Sequence, residues 1–451
     1  MSWTQIHAIA LTNVLDALDL SGIKWLVLRN HEGLPESNRS RDVDLCLSRG
    51  DFRYAEMMIT EAVRAAGFTR IIVQDFQYVR CLTYFGTQYG SPQSIKIDLL
   101  DGFVFRGAQI FEINQLYAGS RREGRFAIPS TTEDAVMLWL KPLLTGGIVK
   151  NKYIKDINGV ISRDPIGFQL ILNKIFTPEW SKKVWSNIKD GNLYDTLPLR
   201  TNLRKSAWIR AFKHKPLTTL RHTGHHFISE ILRRQRRIPG TFFAVLGPDG
   251  VGKSTFIEKF AEGISNLHVI DQCETQIMHF RPHLIPNIQQ LFTGKPEVVT
   301  NFNDPHRADQ VNTLSSFLRI IYYWFDYVFG YLFKIHRSLF RGIPVIFDRY
   351  FYDFIVDPRR SRLKLPQCVA ELLLFVTPKP EIVFVLDADV AKIYLRKQEL
   401  PPDEIKRQLN AYRLLAKRDP DRFVILDANQ TPNDIVSQAL RVVIERSFPE
   451  S

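Results

Sequence analysis

The chain has 451 residues, enough for two or three domains, and its 45% hydrophobic and 24% charged content is that of a folded protein rather than a disordered one. The first twenty residues carry Asp16 and Asp19 without a basic stretch, the most apolar run (317–333) is broken by Arg319 and Asp326, and Cys46, Cys81, Cys273 and Cys368 share no paired spacing. A signal peptide, a membrane span, a disulfide framework and a zinc knuckle are therefore not expected, and a cytoplasmic location is.

The first third (1–129) reads as short strands among helices, over 24–30, 43–48, 69–85 with a break inside, and 95–105. In Asp42-Val43-Asp44 one intervening residue puts both carboxylates on the same face of a strand. Asp98, within Ile95-Lys96-Ile97-Asp98-Leu99, lies on another strand that can pair beside the first. Three clustered carboxylates repel one another unless they hold Mg²⁺, which is the two-metal arrangement for nucleotidyl transfer. Over about residues 20–110 this pattern resembles the minimal nucleotidyltransferase domains, an α+β fold, and the resemblance makes Asp42, Asp44 and Asp98 metal ligands. That family carries a Gly-Ser or Gly-Gly pair after its first strand; Leu28-Arg29-Asn30 stands there instead, with only Gly33 nearby. The fold is expected, and the activity is left open against ion pairing of the acids with Arg29 or Arg41.

From 130 to 238 the pattern is helical, with Leu138, Leu140, Leu143 and Leu144, then Phe227, Ile228, Ile231 and Leu232, at helical spacing. The chain carries 60 Lys+Arg against 47 Asp+Glu, a net +13, and +10 of it falls between Arg200 and Arg237, where eleven basic residues meet one acid, Glu230. Its aromatics (Trp208, Phe212, Phe227) are few, so base stacking and nucleic acid are not expected. A solvated basic connector is the first expectation and peripheral contact with an anionic membrane the second. His222, His225 and His226 have no carboxylate or cysteine partner in sequence and read as exposed rather than metal-binding. Pro239-Gly240 ends the segment.

In the last region (239–451) apolar runs at 241–246, 344–347, 381–386 and 422–426 alternate with helical stretches. Strands without polar alternation, separated by helices, predict a parallel sheet buried on both faces, an α/β fold. One helix is predicted over 317–339, where Phe317, Ile320, Trp324, Val328, Tyr331, Ile335 and Leu339 step by three and four as a core face. Directly after the first run stands Gly247-Pro248-Asp249-Gly250-Val251-Gly252-Lys253-Ser254-Thr255. Glycines let backbone N–H groups turn inward around phosphates, the following helix aims its positive end at them, Lys253 can reach the β- and γ-phosphates, and Ser254 can bind Mg²⁺. Asp348-Arg349-Tyr350 follows the second run, hence sits at the carboxyl end of a strand, where Asp348 can hold Mg²⁺ and Arg349 can grip a second phosphate.

These motifs, with Val383–Asp389, Arg396, Tyr412 and Ile425–Asn429 in the same order, resemble thymidylate kinase over about residues 240–447. The resemblance implies a five-stranded parallel P-loop kinase sheet, ATP as co-substrate with Mg²⁺, and ATP held by Gly247, Asp249, Gly250, Gly252, Lys253, Ser254 and Thr255. It makes Asp249 a contact to the acceptor sugar and Arg349 a grip on the acceptor phosphate, with Tyr350 beside it. Lid residues around Arg396, with Lys397, Lys406 and Arg407 as further candidates, close over ATP. Gly250 follows Asp249 where a base could stand, pointing to the subtype whose lid supplies the transition-state cation. The family's serine and glutamine after Asp-Arg-Tyr are missing here, and Arg359, Arg360, Arg362 and Arg281 stand near the motif's surroundings. The acceptor expected is thus a nucleoside monophosphate or another small anion, with Arg281, Arg359 and Arg360 as contacts, against a merely solvated arginine face.

The sequence therefore predicts a phosphotransferase acting through Lys253, Asp348, Arg349 and Arg396, fused through a helical connector to a nucleotidyltransferase-like domain. The rival readings are nucleotidyl transfer with the P-loop domain regulatory, and a non-catalytic nucleotide-gated module at a membrane surface.

Overall fold

A computed structural model describes residues 3–38, 42–76, 78–88, 90–235, 240–267, 275–286, 312–448 and 450. Arg41, Arg236, Arg237, Pro239 and Cys273 lie outside them. The chain divides into two compact units, one of Met1–Gln88, Gln93–Arg236 and Phe448–Ser451, the other of Tyr89–Pro92 and Arg237–Ser447.

In the first unit β1 (Trp25–Val27), β2 (Asp42–Leu47), β3 (Phe68–Phe76), β4 (Val79–Gln88) and β5 (Ser91–Leu100) form a sheet of order β1-β2-β5-β4-β3. β2 runs parallel to β5 and antiparallel to β1. The period of two along a strand sorts the side chains to two cores. Leu45, Leu47 and Leu99 point to the cluster beneath helices Gln5–Leu20 and Phe52–Ala65, whereas Cys46 and Leu100 join Trp139, Leu140 and Phe168. That second cluster is built by helices Thr131–Thr145, Asn151–Arg163, Pro165–Ile175, Pro178–Ile188 and Arg200–His214. Two small hairpins, β6 (Phe103–Phe105) with β7 (Ala108–Phe111) and β8 (Arg121–Glu123) with β9 (Phe126–Ile128), lie between sheet and helices in the chain.

The second unit holds β10 (Phe242–Leu246), β11 (Gln276–His279), β12 (Val345–Asp348), β13 (Ile382–Asp387) and β14 (Phe423–Asp427), all parallel, in the order β11-β12-β10-β13-β14. β10 is buried along its whole length, as a central strand covered on both faces must be. β11 was not signalled by an apolar run, because it is a four-residue edge strand with only Met278 buried.

Helices Lys253–Asn266 and Pro432–Ser447 approach closely at Gly263, where an added Cβ would come within 2.7 Å of Leu440. The predicted 317–339 helix runs as Thr313–Gly330, a π turn at Tyr331–Ile335 and His336–Phe340. Its buried face differs from the expected stripe. Ile320, Ile335 and Leu339 are inside, but Phe317 is exposed, and Ser316, Asp326 and Tyr327 are buried instead. Asp326 can turn inward because main-chain N–H groups of His283, Leu284 and Ile285 donate to its carboxylate at 3.2, 2.8 and 2.8 Å.

Candidate active site

Five residues of β10 carry the chain to the carboxyl edge of the sheet, where Gly247–Gly252 turns back into the helix Lys253–Asn266. Gly252 is left-handed (φ 107°) as the residue that starts this helix. Gly250, at φ 83°, is also needed for close approach, since an added Cβ would lie 2.9 Å from Lys397 Cβ and 3.2 Å from the Ile393 carbonyl. The glycine loop can thus be overlain by the helix Val390–Arg396.

A cavity of about 500 Å³ opens here, lined by Asp249, Gly250, Gly252, Lys253, Ser254 and Thr255 from the loop and helix start. Its other walls are His279 from the end of β11, Asp348 and Arg349 from the end of β12, Arg360, and Arg396, Lys397 and Glu399. Lys253 is buried, and its Nζ donates to the carbonyls of Gly247 and Pro248, each at 2.9 Å. Burial, reinforced by Arg349, drives its pKa down to about 7 against the opposing charges of Asp348 and Asp353. Asp249 is ringed by cations. Its Oδ1 accepts from Arg349 Nη2 at 2.6 Å and stands 3.7 Å from Lys253 Nζ, while its Oδ2 accepts from Arg360.

Arg349 is fully enclosed. Burial disfavours its charge, but Asp353, which accepts from Nη1 at 2.5 Å, more than reverses this and raises its pKa. Asp353 Oδ1 in turn accepts from the Tyr412 hydroxyl at 2.8 Å. Burial pushes the Asp348 carboxyl upward, yet the hydrogen bond from His279 Nδ1 at 3.1 Å and the charge of Lys253 hold it below the usual range. Asp348 Oδ1 is buried with no hydrogen-bond partner among the described residues. An ionised carboxylate with an unmet oxygen and the Ser254 hydroxyl are hard oxygen donors that suit Mg²⁺.

The structure thus brings Asp249, Lys253, Ser254, Thr255, Asp348, Arg349, Arg360 and Arg396 to one cavity. Three expected acceptor contacts do not line it. Tyr350 is a core side chain whose hydroxyl donates to the Pro378 carbonyl at 2.5 Å. Arg281 is buried against Asp326 at 3.3 Å and over the Tyr323 ring at 4.4 Å. Arg359 is exposed on the outer side of a 3₁₀ turn, Pro358–Ser361, that turns only Arg360 inward. Among the further lid candidates, Lys397 lines the cavity, Lys406 lines a separate hollow with Asp387 and Arg413, and Arg407 is bound to Glu404 and the Val356 carbonyl. His279 and Asp353 were missed. Neither belongs to a motif, although a residue at the carboxyl end of any parallel strand is a candidate.

In the first unit the β2–β5 register sets Asp44 directly opposite Asp98, with Asp42 opposite Lys96. Carboxylate oxygens of Asp42, Asp44 and Asp98 all lie within 4.8 Å of one another. Burial raises the Asp98 pKa to about 6, and its Oδ1 is buried without a hydrogen-bond partner. Arg29, standing where the resemblance expects small residues, donates to Asp44 Oδ2 from Nε at 2.8 Å and Nη2 at 2.5 Å, and Lys96 Nζ is 3.8 Å from Asp98.

No family model matches the chain. By sequence it is 23% identical over 219 residues to the thymidylate kinase of Oenococcus oeni, a match spanning 46% of this chain and 96% of that one. A solved structure of thymidylate kinase from Ehrlichia chaffeensis matches 46% of this chain and all of that chain at 18% identity, with a TM-score of 0.31. Under half of the chain is therefore similar to thymidylate kinase. Together with the five-stranded parallel sheet and its glycine loop, that similarity is consistent with a P-loop phosphotransferase of nucleotide-kinase type.

Proposed function

We propose that the second unit is an ATP- and Mg²⁺-dependent phosphotransferase of thymidylate kinase type, moving the γ-phosphoryl of ATP to a nucleoside monophosphate or another small anionic acceptor. The observation that carries this reading is the meeting of Lys253 and Ser254 with Asp348, Arg349, Arg360 and Arg396 around one cavity of about 500 Å³. ATP phosphates would replace the Gly247 and Pro248 carbonyls as partners of Lys253, adding negative charge beside an ammonium whose charge burial disfavours. Arg396 and Lys397 line the same cavity, and charge spread over the moving phosphoryl group needs such cations. Arg349 and Arg360, both held by Asp249, are the cations available to orient an anionic acceptor for in-line attack. Mg²⁺ held by Ser254 and Asp348 would neutralise the phosphate oxygens and polarise them. The test is a screen of thymidylate, other nucleoside monophosphates and sugar phosphates with γ-labelled ATP. Label transfer to one class of acceptor is expected, and none to any would remove this reading.

A second site is inferred in the first unit, where Asp42, Asp44 and Asp98 are the Mg²⁺ ligands of a nucleotidyltransferase-like centre. The buried, unmet oxygen of Asp98 supports it, and the Arg29–Asp44 pair must open for a cation to enter. α-Labelled ATP separates the two centres. Label from the α position passing to an acceptor, and lost in Asp98→Asn, supports the second site; its absence in the intact chain leaves only the carboxylate cluster.

A further inference from the structure

The helix Pro216–Gln235 is packed the opposite way from an ordinary surface helix. Its inner side is polar. Thr219 is buried, Tyr78 Oη donates to the His222 carbonyl at 2.8 Å, and Trp208 Nε1 donates to Thr223 Oγ1 at 2.9 Å. His222, His225 and His226, expected to be exposed, are half-buried; the Tyr78 ring lies 5.3 Å from that of His222. These contacts fix the rotation of the helix and turn its apolar residues outward. Leu217 is 82% exposed, Leu220 51%, Phe227 65% and Ile228 59%. At 100° per residue these four, with Gly224 between them, fall within about a 100° arc. Arg221 lies next to that arc and is exposed.

The sequence leading into and along this helix is basic. Between Asp195 and Glu230 the chain has no acidic residue and seven basic ones, Arg200, Arg204, Lys205, Arg210, Lys213, Lys215 and Arg221. Arg200 and Arg204 donate to the carbonyls of Gly147 and Leu144, and Lys215 pairs with Glu112. Lys205, Lys213 and Arg221 are exposed and form no ion pair among the described residues. We infer that the outward face of Pro216–Gln235 docks on an anionic lipid bilayer, lying in the interface with Leu217, Leu220, Phe227 and Ile228 among the acyl chains and the basic residues among the headgroups. An apolar stripe with Arg221 at its edge, on a helix that follows a basic one in the chain, matches both layers of such a surface. Nucleic acid fits less well, since Trp208 and Phe212 stack on each other at 5.2 Å and the exposed residues are mostly aliphatic. The helix lies on the membrane rather than crossing it, because among the described residues no helix is long and apolar enough to span one.

Flotation of the full chain with phosphatidylcholine vesicles, with or without about one-third phosphatidylglycerol, tests this directly. Binding is expected only to the anionic vesicles, weakened at least about tenfold between roughly 50 and 500 mM salt. The double variant Leu217→Glu/Phe227→Glu should lose at least about tenfold in vesicle affinity, and Arg221→Glu roughly as much, since each basic side chain near such a surface strengthens binding about fivefold. Both variants alter exposed side chains and should keep the wild-type melting temperature and ATP binding. No affinity for anionic vesicles, equal affinity in the double variant, or binding to single-stranded RNA with the vesicles left bare would each overturn the assignment.

Discussion

Arg349 and Asp353 form a buried ion pair, Nη1 to Oδ2 at 2.5 Å, four residues apart along the chain. Through it the arginine that faces the cavity is fixed from behind, while its other arm holds Asp249 in the glycine loop. The orientation of the candidate acceptor grip therefore depends on a residue that does not line the cavity.

Removing one partner of such a pair leaves a charge buried without compensation. Asp353→Ala should lower unfolding stability by about 3–5 kcal/mol, and Asp353→Asn by less, because it keeps the shape and part of the hydrogen bonding. Tyr412→Phe, which takes one donor from Asp353, should cost about 1–3 kcal/mol. Urea unfolding followed by circular dichroism measures all three, and a wild-type midpoint for Asp353→Ala would show that the pair contributes nothing.

Tyr350 separates the structure from the resemblance. Its hydroxyl serves the Pro378 carbonyl inside the core. Tyr350→Phe should lose about 0.5–1.5 kcal/mol of stability and leave kcat/KM within about twofold. A large loss of kcat/KM at unchanged stability would return the residue to the acceptor site.

Arg281 and Asp326 make a similar contrast. Asp326→Ala removes one acceptor from Arg281 and the acceptor of three main-chain N–H groups and should cost about 3–5 kcal/mol. Arg281→Ala should cost less, since the main-chain donors still satisfy the carboxylate. Thermal or urea unfolding of the two variants gives the order, and the reverse order would contradict it.

What the chain disclosed by itself was local. The glycine loop with Lys253 and Ser254, Asp348-Arg349 after a strand and the Asp42/Asp44 spacing each occupy a few consecutive residues, and four strands of the second unit coincide with contiguous apolar runs, three of them buried and β14 half-exposed at the sheet edge. What stayed hidden depends on partners distant in sequence or on the phase of a short turn. Asp353 and Tyr412 are 59 residues apart and Arg281 and Asp326 are 45 apart, so no spacing announces either pairing. Of Arg359, Arg360 and Arg362, only Arg360 lines the cavity, which follows from how one 3₁₀ turn is rotated. His279 escaped because its strand is short, peripheral and polar at both ends.

His31 supplies a pH dependence in the first unit. Burial lowers its affinity for a proton, but Asp134 at 3.7 Å and Glu123 at 3.0 Å outweigh burial and raise the pKa above the ordinary 6.5. A folded-state value above the unfolded one means that this stabilisation is fully present below about pH 6.5 and is lost as pH rises through the folded-state pKa. Comparing denaturation midpoints across that interval, His31→Gln should flatten the decline seen in the wild type. An unchanged slope would mean that another group is responsible.

Lys253 is the residue on which the proposed phosphoryl transfer in the second unit depends most directly. The measurement is MgATP titration and γ-phosphoryl transfer by the full chain, wild type beside Lys253→Ala, with melting temperatures recorded for both. The wild type is expected to bind and turn over ATP, while the variant keeps its fold and loses at least about a hundredfold in transfer. A folded Lys253→Ala protein that transfers phosphate at the wild-type rate would contradict this expectation.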